Sequence, residues 1–496
     1  MNRGCGKLRM TFEDRLYPLL SAYIRSPQWV KSSLGYAYAA LPALLRRGPR
    51  YSHYQAEAAL ASRAELEAVC RAKLAGSLRW ALETVPFYVR YRGLLAQLSD
   101  PYQVLAQLPL VSKSEIKQDL DRFVSTALPA SRRLATYTGG STANPMKFYL
   151  QKGVSRVKEY AYIEHFQQRV GLDSRAIVLA MRGRTVPSAA EAGGRLWMFE
   201  PIKRQLILSC DHLEWRYLPD YVAAMKAWKP RFIEAYPSAL LPLALWLREH
   251  PAPELLAGIE GVLLYSETLY PYQLELFRAV FDCPILNHYG HSERVVMAGA
   301  MPDDARCFFW PQYGHVELLD EQGRAVTRPG ALGEIVGTGY DNQAQAFIRY
   351  RTGDLAVLSE AEHPLLPGHP VVERIEGRLQ EFLVCADQRL ISICTMGAAH
   401  FGELAEVLAM QYEQRQAGHV TLKVVTSVPL SAQQREGIRR AIAAKTQGGC
   451  EAEVVEVQEI ARTGRGKHQM LLQHLDLGAY YGAGLAPFGS TVVPGP

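Results

Sequence analysis

The chain has no Cys-x-x-Cys pair, no Gly-Lys-Ser/Thr phosphate loop and no apolar run long enough to cross a bilayer. Each absence removes a class. The eight cysteines (Cys5, Cys70, Cys210, Cys283, Cys307, Cys385, Cys394, Cys450) are scattered without zinc-site spacing, so they read as reduced thiols packed in the core. Without the Walker ending, the chain is not an ordinary P-loop NTPase. The longest apolar stretch near the start, residues 34–45, is broken by Pro42 and closes on Arg46 and Arg47. A spanning helix needs roughly 20 such residues. No cleavable signal is recognisable, and there is no repeat of solenoid length. A cytoplasmic location is the default expectation.

What is present is a globular balance: 496 residues, 48% hydrophobic and 21% charged, enough for two or three lobes. The charge is uneven. The first 50 residues hold nine Lys or Arg against Glu13 and Asp14, a balance of +7; with +6 for the whole chain, the other 446 residues carry −1. Such a run is usually a solvated helical face. The sharper alternative, given Tyr17, Tyr23, Trp29, Tyr36 and Tyr38 among the cations, is peripheral contact with an anionic membrane. Nothing here resembles a nucleic-acid-binding motif.

Periodicity predicts one amphipathic helix over 56–85, ending before Pro86, and a capped helix after Ser112. From about 134, apolar runs at 176–181, 231–235, 261–265 and 284–286 alternate with helical stretches near 154–168, 217–227, 238–249 and 270–281. That alternation predicts α/β architecture with largely parallel strands. Beyond about 310 the pattern turns to antiparallel strands of a smaller barrel-like subdomain. After 379–381, the runs 420–425, 431–446 and 451–457 predict a compact β-α-β unit.

Five short stretches carry the chemistry. Thr136-Tyr-Thr-Gly-Gly-Ser-Thr-Ala-Asn-Pro145 has paired glycines that let backbone amides converge, with hydroxyls at Thr138, Ser141 and Thr142. It reads as a phosphate cradle. After it come His288-Tyr-Gly-His-Ser-Glu293, Arg349-Tyr-Arg-Thr-Gly-Asp354, Arg374-Ile-Glu-Gly-Arg378 and Arg462-Thr-Gly-Arg-Gly-Lys467. Singly, each has an ordinary reading as a turn, a cap or a surface lysine. Together they supply a phosphate loop, carboxylates for a divalent cation and for hydroxyls, and cations for developing charge.

On these stretches the chain resembles the adenylate-forming superfamily of acyl-CoA synthetases, nonribosomal adenylation domains and luciferases. Thr84-Val-Pro-Phe-Tyr-Val-Arg90, Leu108-Pro-Leu-Val-Ser-Lys113, Lys229-Pro-Arg-Phe-Ile-Glu-Ala-Tyr-Pro-Ser238 and Arg465-Gly-Lys-His-Gln469 resemble its phenylacetate–CoA ligase-like branch, which has relatives in capsule and surface-polysaccharide biosynthesis. The likeness spans roughly residues 50 to 475. It implies an α/β fold: a large N-terminal domain of stacked α/β sheets, a small β-barrel-like subdomain and a small mobile α+β C-terminal domain. The implied boundaries are a basic helical segment 1–50, an adenylation domain 51–378, a hinge 379–381, a lid 382–477 and a loosely ordered tail 478–496.

The resemblance also implies roles. Thr138, Gly139, Gly140, Ser141 and Thr142 would embrace the ATP phosphates, and Glu293 would hold Mg²⁺. Tyr289 would lie along the adenine, with Gly290, Ser266 and Glu267 nearby. Asp354 would accept from both ribose hydroxyls, Arg378 would contact ribose or phosphate, and Lys467 would bridge the acid and the α-phosphate. Tyr236, Tyr265, Asn287 and His288 would line the acid pocket, which favours an aryl or arylalkyl acid, although aromatics in a large core are mostly packing. The implied reaction activates a carboxylic acid as acyl-AMP with loss of pyrophosphate, then passes the acyl group to CoA.

Some positions depart from the family pattern. Ala143, Ser292 and Gln380 stand where Gly, Thr and a charged residue are commoner, with Glu381 beside the last. More consequential, Val384-Cys-Ala-Asp-Gln-Arg-Leu-Ile-Ser392 has no glycine where CoA-using relatives shape a pantetheine tunnel. An amine, amino acid or sugar acceptor is therefore the alternative. A catalytically silent scaffold is the alternative of another class, and intact Glu293, Asp354, Arg378 and Lys467 argue against it.

Overall fold

The computed structural model describes residues 23, 26, 28–138, 146–182, 196–210, 212–213, 215–378, 382–393, 407–426, 428–461, 468–477 and 480. Helices α1 (Gln28–Ala40), α2 (Arg50–Ala58) and α3 (Arg63–Thr84) come first, with a five-residue helix, Ala43–Arg47, between α1 and α2. Where one helix is expected over 56–85, the chain breaks at 59–62, and Ser62 takes extended dihedrals ahead of α3. Ser62 and Glu65 stand at capping-box spacing, the boundary signal inside that pattern. Helix α3 buries Leu66, Cys70, Leu74, Leu78 and Leu82 as one stripe, each leucine contributing on the order of 2 kcal/mol. It stops at Val85, extended as a residue before proline must be. The short α4 (Lys113–Gln118) opens on a reciprocal capping box between Ser112 and Glu115.

An antiparallel hairpin of β1 (Arg133–Tyr137) and β2 (Lys147–Gln151) stands apart. Next come α5 (Ser155–Gln168), β3 (Val178–Met181), β4 (Trp197–Glu200), β5 (Gln205–Leu208), α6 (Leu218–Trp228), β6 (Phe232–Ala235) and α7 (Pro237–Glu249). They are followed by β7 (Gly261–Tyr265), α8 (Pro271–Val280) and β8 (Ile285–Gly290). The remaining strands of this body are β9 (Met297–Met301), β10 (Asp304–Phe309), β11 (Gly314–Leu319), β12 (Leu332–Gly339), β13 (Tyr350–Leu358) and β14 (Val371–Arg378).

Strands β3 to β14 join in one 12-stranded sheet, ordered β11-β12-β13-β14-β10-β9-β8-β7-β6-β3-β5-β4. Strands β5, β3, β6, β7 and β8 run parallel. The antiparallel strands after 310 continue the same hydrogen-bonded sheet through β9 and β10. Alternate residues face opposite sides: Leu179, Ile233, Val262 and Leu264 pack under α6 and α7, while Leu263, Tyr265 and Leu286 meet α5. Burial on both faces is what runs such as Gly261-Val-Leu-Leu-Tyr265 require.

The C-terminal unit begins with the hairpin β15 (Phe382–Val384) and β16 (Leu390–Ser392). Then come β17 (Val407–Gln416), β18 (His419–Thr426), α9 (Ala432–Lys445), β19 (Glu451–Glu456) and β20 (Leu471–Gln473). Their sheet order is β19-β18-β17-β20, with β18 and β19 parallel around α9. Its core, built on Met410, Tyr412, Leu422, Ile438 and Ile442, also takes in Tyr270 of the large body. Among the described residues no cysteine is disulfide-bonded, and no helix is long and apolar enough to cross a membrane. The hinge residues 379–381 and, apart from 480, the tail 478–496 lie outside the described residues.

Candidate active site

The parallel strands end together, β6 at Ala235, β7 at Tyr265 and β8 at Gly290. Crevices beyond such carboxyl ends are where open α/β sheets bind ligands. Here two of the chemistry-bearing stretches are cross-linked by tyrosines in opposite directions. The Tyr289 hydroxyl donates to Asp354 Oδ2 at 2.8 Å, and the Tyr350 hydroxyl donates to Glu293 Oε1 at 2.7 Å. Both carboxylates are buried. Residues 57 and 65 positions apart in sequence are thus held side by side.

Local backbone explains where Asp354 lies. Gly353 sits at φ 75°, a left-handed value that favours glycine, and the β12–β13 register shifts beside it. Glu334 braces that turn, accepting from the Gly353 N–H at 3.1 Å and from Arg351 Nε at 2.7 Å. Thr352 donates to the Ile335 carbonyl at 2.6 Å and accepts from the Asp354 N–H at 3.1 Å. Across the ladder Asp354 faces Arg378, whose side chain lies outside the described residues.

Glu293 lies within a turn closed by the Arg294 N–H on the His291 carbonyl at 3.0 Å. While Tyr350 holds Oε1, the other oxygen lies 3.6 Å from His291 Nδ1, too far for a hydrogen bond. A hard carboxylate oxygen of this kind suits Mg²⁺, which takes one or two carboxylates and completes its shell with phosphates and water. Among the described residues no group of three or more His, Cys, Asp or Glu makes an all-protein metal cage.

Glu267 is placed by strain. Ser266 is left-handed at φ 65°, and the Glu267 N–H turns back to the Tyr265 carbonyl at 2.9 Å. The carboxylate then caps α7: it accepts from the Ser238 N–H and hydroxyl, each at 3.0 Å, the favourable place for an anion. Its Oε1 also accepts from the His468 N–H at 2.9 Å. That contact comes from the C-terminal unit, where His468 is further anchored by Nε2 against the Met410 carbonyl at 2.9 Å. Lys467, the residue before it, lies outside the described residues, as do Gly139, Gly140, Ser141 and Thr142.

The strands on either side of 139–145 form a well-anchored hairpin. The Thr138 N–H donates to the Met146 carbonyl and its Oγ1 accepts from the Met146 N–H, both at 2.9 Å. Asn342 and Gln345 tie β2 to the chain that leads into β13. Their side-chain oxygens accept from the Gln151 and Tyr149 N–H groups at 3.0 and 2.9 Å.

At the sheet's centre, Tyr265 and His288 lie in register on neighbouring strands with ring centroids 5.1 Å apart. Asn287 and Tyr236 are half-buried, but Asn287, next to His288 in the strand, faces the other side of the sheet with Leu264, and Tyr236 packs on the core under α6 and α7. Burial, followed by the Arg182 and Arg169 guanidiniums, pushes the His288 pKa down to about 3, so the ring is neutral. A side chain at Gly290 would come within 3.0 Å of that ring.

Several partners in this region escaped the sequence reading. Arg182 lies over the Tyr265 ring at 4.5 Å and pairs with buried Glu234 at 3.0 Å. Glu234 also accepts from Gln167 at 2.5 Å and Gln205 at 3.0 Å. No local motif links these four positions. Glu234, like Ser238 and Tyr350, does sit inside a stretch already singled out, but Arg182, Gln167 and Gln205 do not.

No protein-family model matches the chain. Protein CapK of Staphylococcus aureus is 21% identical over 325 residues, 65% of this chain and 69% of that protein. A crystal structure of 2-hydroxyisobutyryl-CoA ligase, in the postadenylation state with 2-HIB-AMP, matches with a TM-score of 0.66 at 16% identity, covering 85% of this chain and 92% of that one. The chain has the adenylate-forming ligase fold. The same ligase with 2-HIB-AMP and CoA, in the thioesterification state, matches this fold with a TM-score of 0.54 at 17% identity, over 86% and 93% of the two chains.

Proposed function

We propose that the protein activates a carboxylic acid with ATP as an acyl-adenylate, releasing pyrophosphate, and then passes the acyl group to coenzyme A. One observation carries this reading. The His468 N–H, one residue beyond Lys467, rests on Glu267 at the strand ends that also present Tyr289 and, through it, Asp354. On this reading, the contact would bring Lys467 of the C-terminal unit toward the buried carboxylate assigned to the ribose hydroxyls.

A carboxylate is a poor acyl donor, because oxide is a poor leaving group. Attack on the α-phosphorus converts it into a mixed anhydride whose leaving group is AMP. Two anions must meet, and Lys467 is assigned the work of offsetting their repulsion and the charge that gathers on phosphorus. Asp354, oriented by Tyr289, accepts from the ribose hydroxyls. Arg378 is assigned to ribose or phosphate. Ser266 and Gly290 border the adenine, and Thr138 to Thr142 cradle the phosphates. Glu293 and the triphosphate would hold Mg²⁺ between them; when bound, the ion neutralises phosphate charge. Tyr236, Tyr265, Asn287 and His288 are assigned to the acid, with neutral His288 able to hydrogen-bond without adding charge. In the second step Lys467 has to withdraw so that the acceptor reaches the acyl carbon, by a swivel at 379–381.

An amine or sugar acceptor is the second reading, favoured by the turn after β15. It closes on Gln388 at φ 66° rather than on a glycine. The test is a pyrophosphate-release screen with ATP and Mg²⁺ over aryl, fatty and amino acids, followed by CoA against amines with the best acid. Acid-dependent pyrophosphate and a thioester support the reading. An amide without thioester moves the acceptor to an amine, and silence with every acid favours the scaffold.

A further inference from the structure

We propose that Asn342 and Gln345 are positioning residues which, through the β1–β2 hairpin, set Thr138 against the phosphates of ATP and so serve the triphosphate rather than the AMP moiety. The inference rests on the function proposed above, which assigns Thr138 to the phosphates and Asp354 to the ribose. The hairpin forms its own two-stranded sheet, outside the 12-stranded one. In its register the Thr138 N–H bonds the Met146 carbonyl and the Lys152 N–H bonds the Arg132 carbonyl. The even-numbered residues of β2 therefore bond to β1, and Tyr149 and Gln151 turn their backbone groups outward. Such an edge has to find partners elsewhere.

Among the described residues no third strand supplies them. Side-chain amides do. The Tyr149 N–H donates to Gln345 Oε1 at 2.9 Å, and the Tyr149 carbonyl accepts from Asn342 Nδ2 at 3.0 Å. The Gln151 N–H donates to Asn342 Oδ1 at 3.0 Å, a donor that Ser155 Oγ shares at 3.2 Å. The Gln343 N–H returns a bond to Gln151 Oε1 at 3.0 Å. Two side chains thus take the place of a neighbouring strand, and they come from one short segment between β12 and β13.

That segment is itself held from below. Gln345 is fully buried. Asn342 follows Asp341, which is left-handed at φ 68° and lies between two ammonium groups, Lys73 of α3 at 2.9 Å and Lys158 of α5 at 3.1 Å. Lys158 is buried and also donates to the Tyr313 carbonyl at 2.6 Å. A non-glycine residue keeps such a backbone only where its surroundings fix it, and here the fixed residue aims Asn342 at β2. The same segment continues into β13, which carries Asp354. The amides therefore set the span from the carboxylate assigned to ribose to the hydroxyl assigned to phosphate. An error of about 1 Å in that span is felt by a ligand long enough to reach both ends. ATP reaches both; AMP does not.

Calorimetry of the full chain with ATP and Mg²⁺, and separately with AMP, is the test. Asn342→Ala should weaken ATP about tenfold and AMP by less than about twofold. Gln345→Met keeps the side-chain volume and removes one acceptor; it should weaken ATP about fivefold with AMP again unmoved, and it serves if Asn342→Ala fails to fold. A role in stability alone would lower the melting transition and leave the ratio of ATP to AMP affinity where it was. An unchanged ratio in the folded variants, whether both nucleotides weaken or neither does, therefore overturns this proposal alone. A natural chain that binds neither nucleotide overturns the proposed function, and this proposal with it.

Discussion

The large body and the C-terminal unit hold their parts of the candidate site in different ways. Glu293 and Asp354 are buried, each oriented by a tyrosine from the other's stretch, on strands of one sheet. The C-terminal unit reaches the same place through a backbone N–H on Glu267 and apolar packing at Tyr270 and Tyr272, with Leu332 and Leu355 packed on it farther along, at Phe382 and Val384. A single hydrogen bond is worth about 1 kcal/mol net, which is little to give up. The difference shows where fixed and removable chemistry could sit: under the proposed function, Glu293 and Asp354, needed throughout, belong to the sheet, and Lys467, needed in the first step only, belongs to the C-terminal unit.

The sharpest attempt to break this comparison is Lys467→Ala. Acid-dependent ATP–pyrophosphate exchange should fall by on the order of 10²–10³, while acyl transfer from supplied acyl-adenylate persists; equal loss of both would place the lysine with the fixed groups. Next is acid stability. The His288 pKa is depressed to about 3 in the fold, against about 6.5 for an exposed imidazole. The unfolded chain therefore takes up the proton first, and this residue's contribution falls as pH drops through 6.5 toward 3. From pH 7 to 4 the loss is about 3 kcal/mol, read by denaturant titration, and His288→Gln should remove it. Because His165 and His369 are likewise depressed, to about 4, and slope the same way, the comparison is between the two chains: equal slopes with and without His288 would mean that the ring is not buried neutral.

Smaller again is Asp354→Ala, expected to raise the ATP dissociation constant about 10- to 100-fold in calorimetry while acid affinity holds. Tyr289→Phe keeps the ring and loses one hydrogen bond, so ATP affinity should drop only about fivefold. Equal effects from these two would mean that Asp354 acts through Tyr289 alone.

Much of this was legible beforehand, and the reason is periodicity. The parallel strands and their helices announce themselves as apolar runs alternating with amphipathic ones, and Ser112 with Glu115 announces a helix start. The break between α2 and α3 was missed because Ser62 and Glu65 lie inside an unbroken apolar pattern. Strands β17 and β20 were missed as well. They flank the anticipated β-α-β unit, and β20 is only three residues long. Within the site, the carboxylates could be picked out because each sits in a short glycine-containing stretch. Their partners could not. Arg182 meets Glu234 across 52 residues, and His468 meets Glu267 across 201; such pairings exist only once the sheet has brought strand ends together.

The account turns on that last contact, and Glu267→Gln tests it most directly. The amide keeps an oxygen for Ser238 but weakens the hold on the His468 N–H, so ATP–pyrophosphate exchange should fall about tenfold while transfer from supplied acyl-adenylate is unchanged. If exchange is untouched, or if both half-reactions fall together, the C-terminal unit does not deliver its lysine through Glu267.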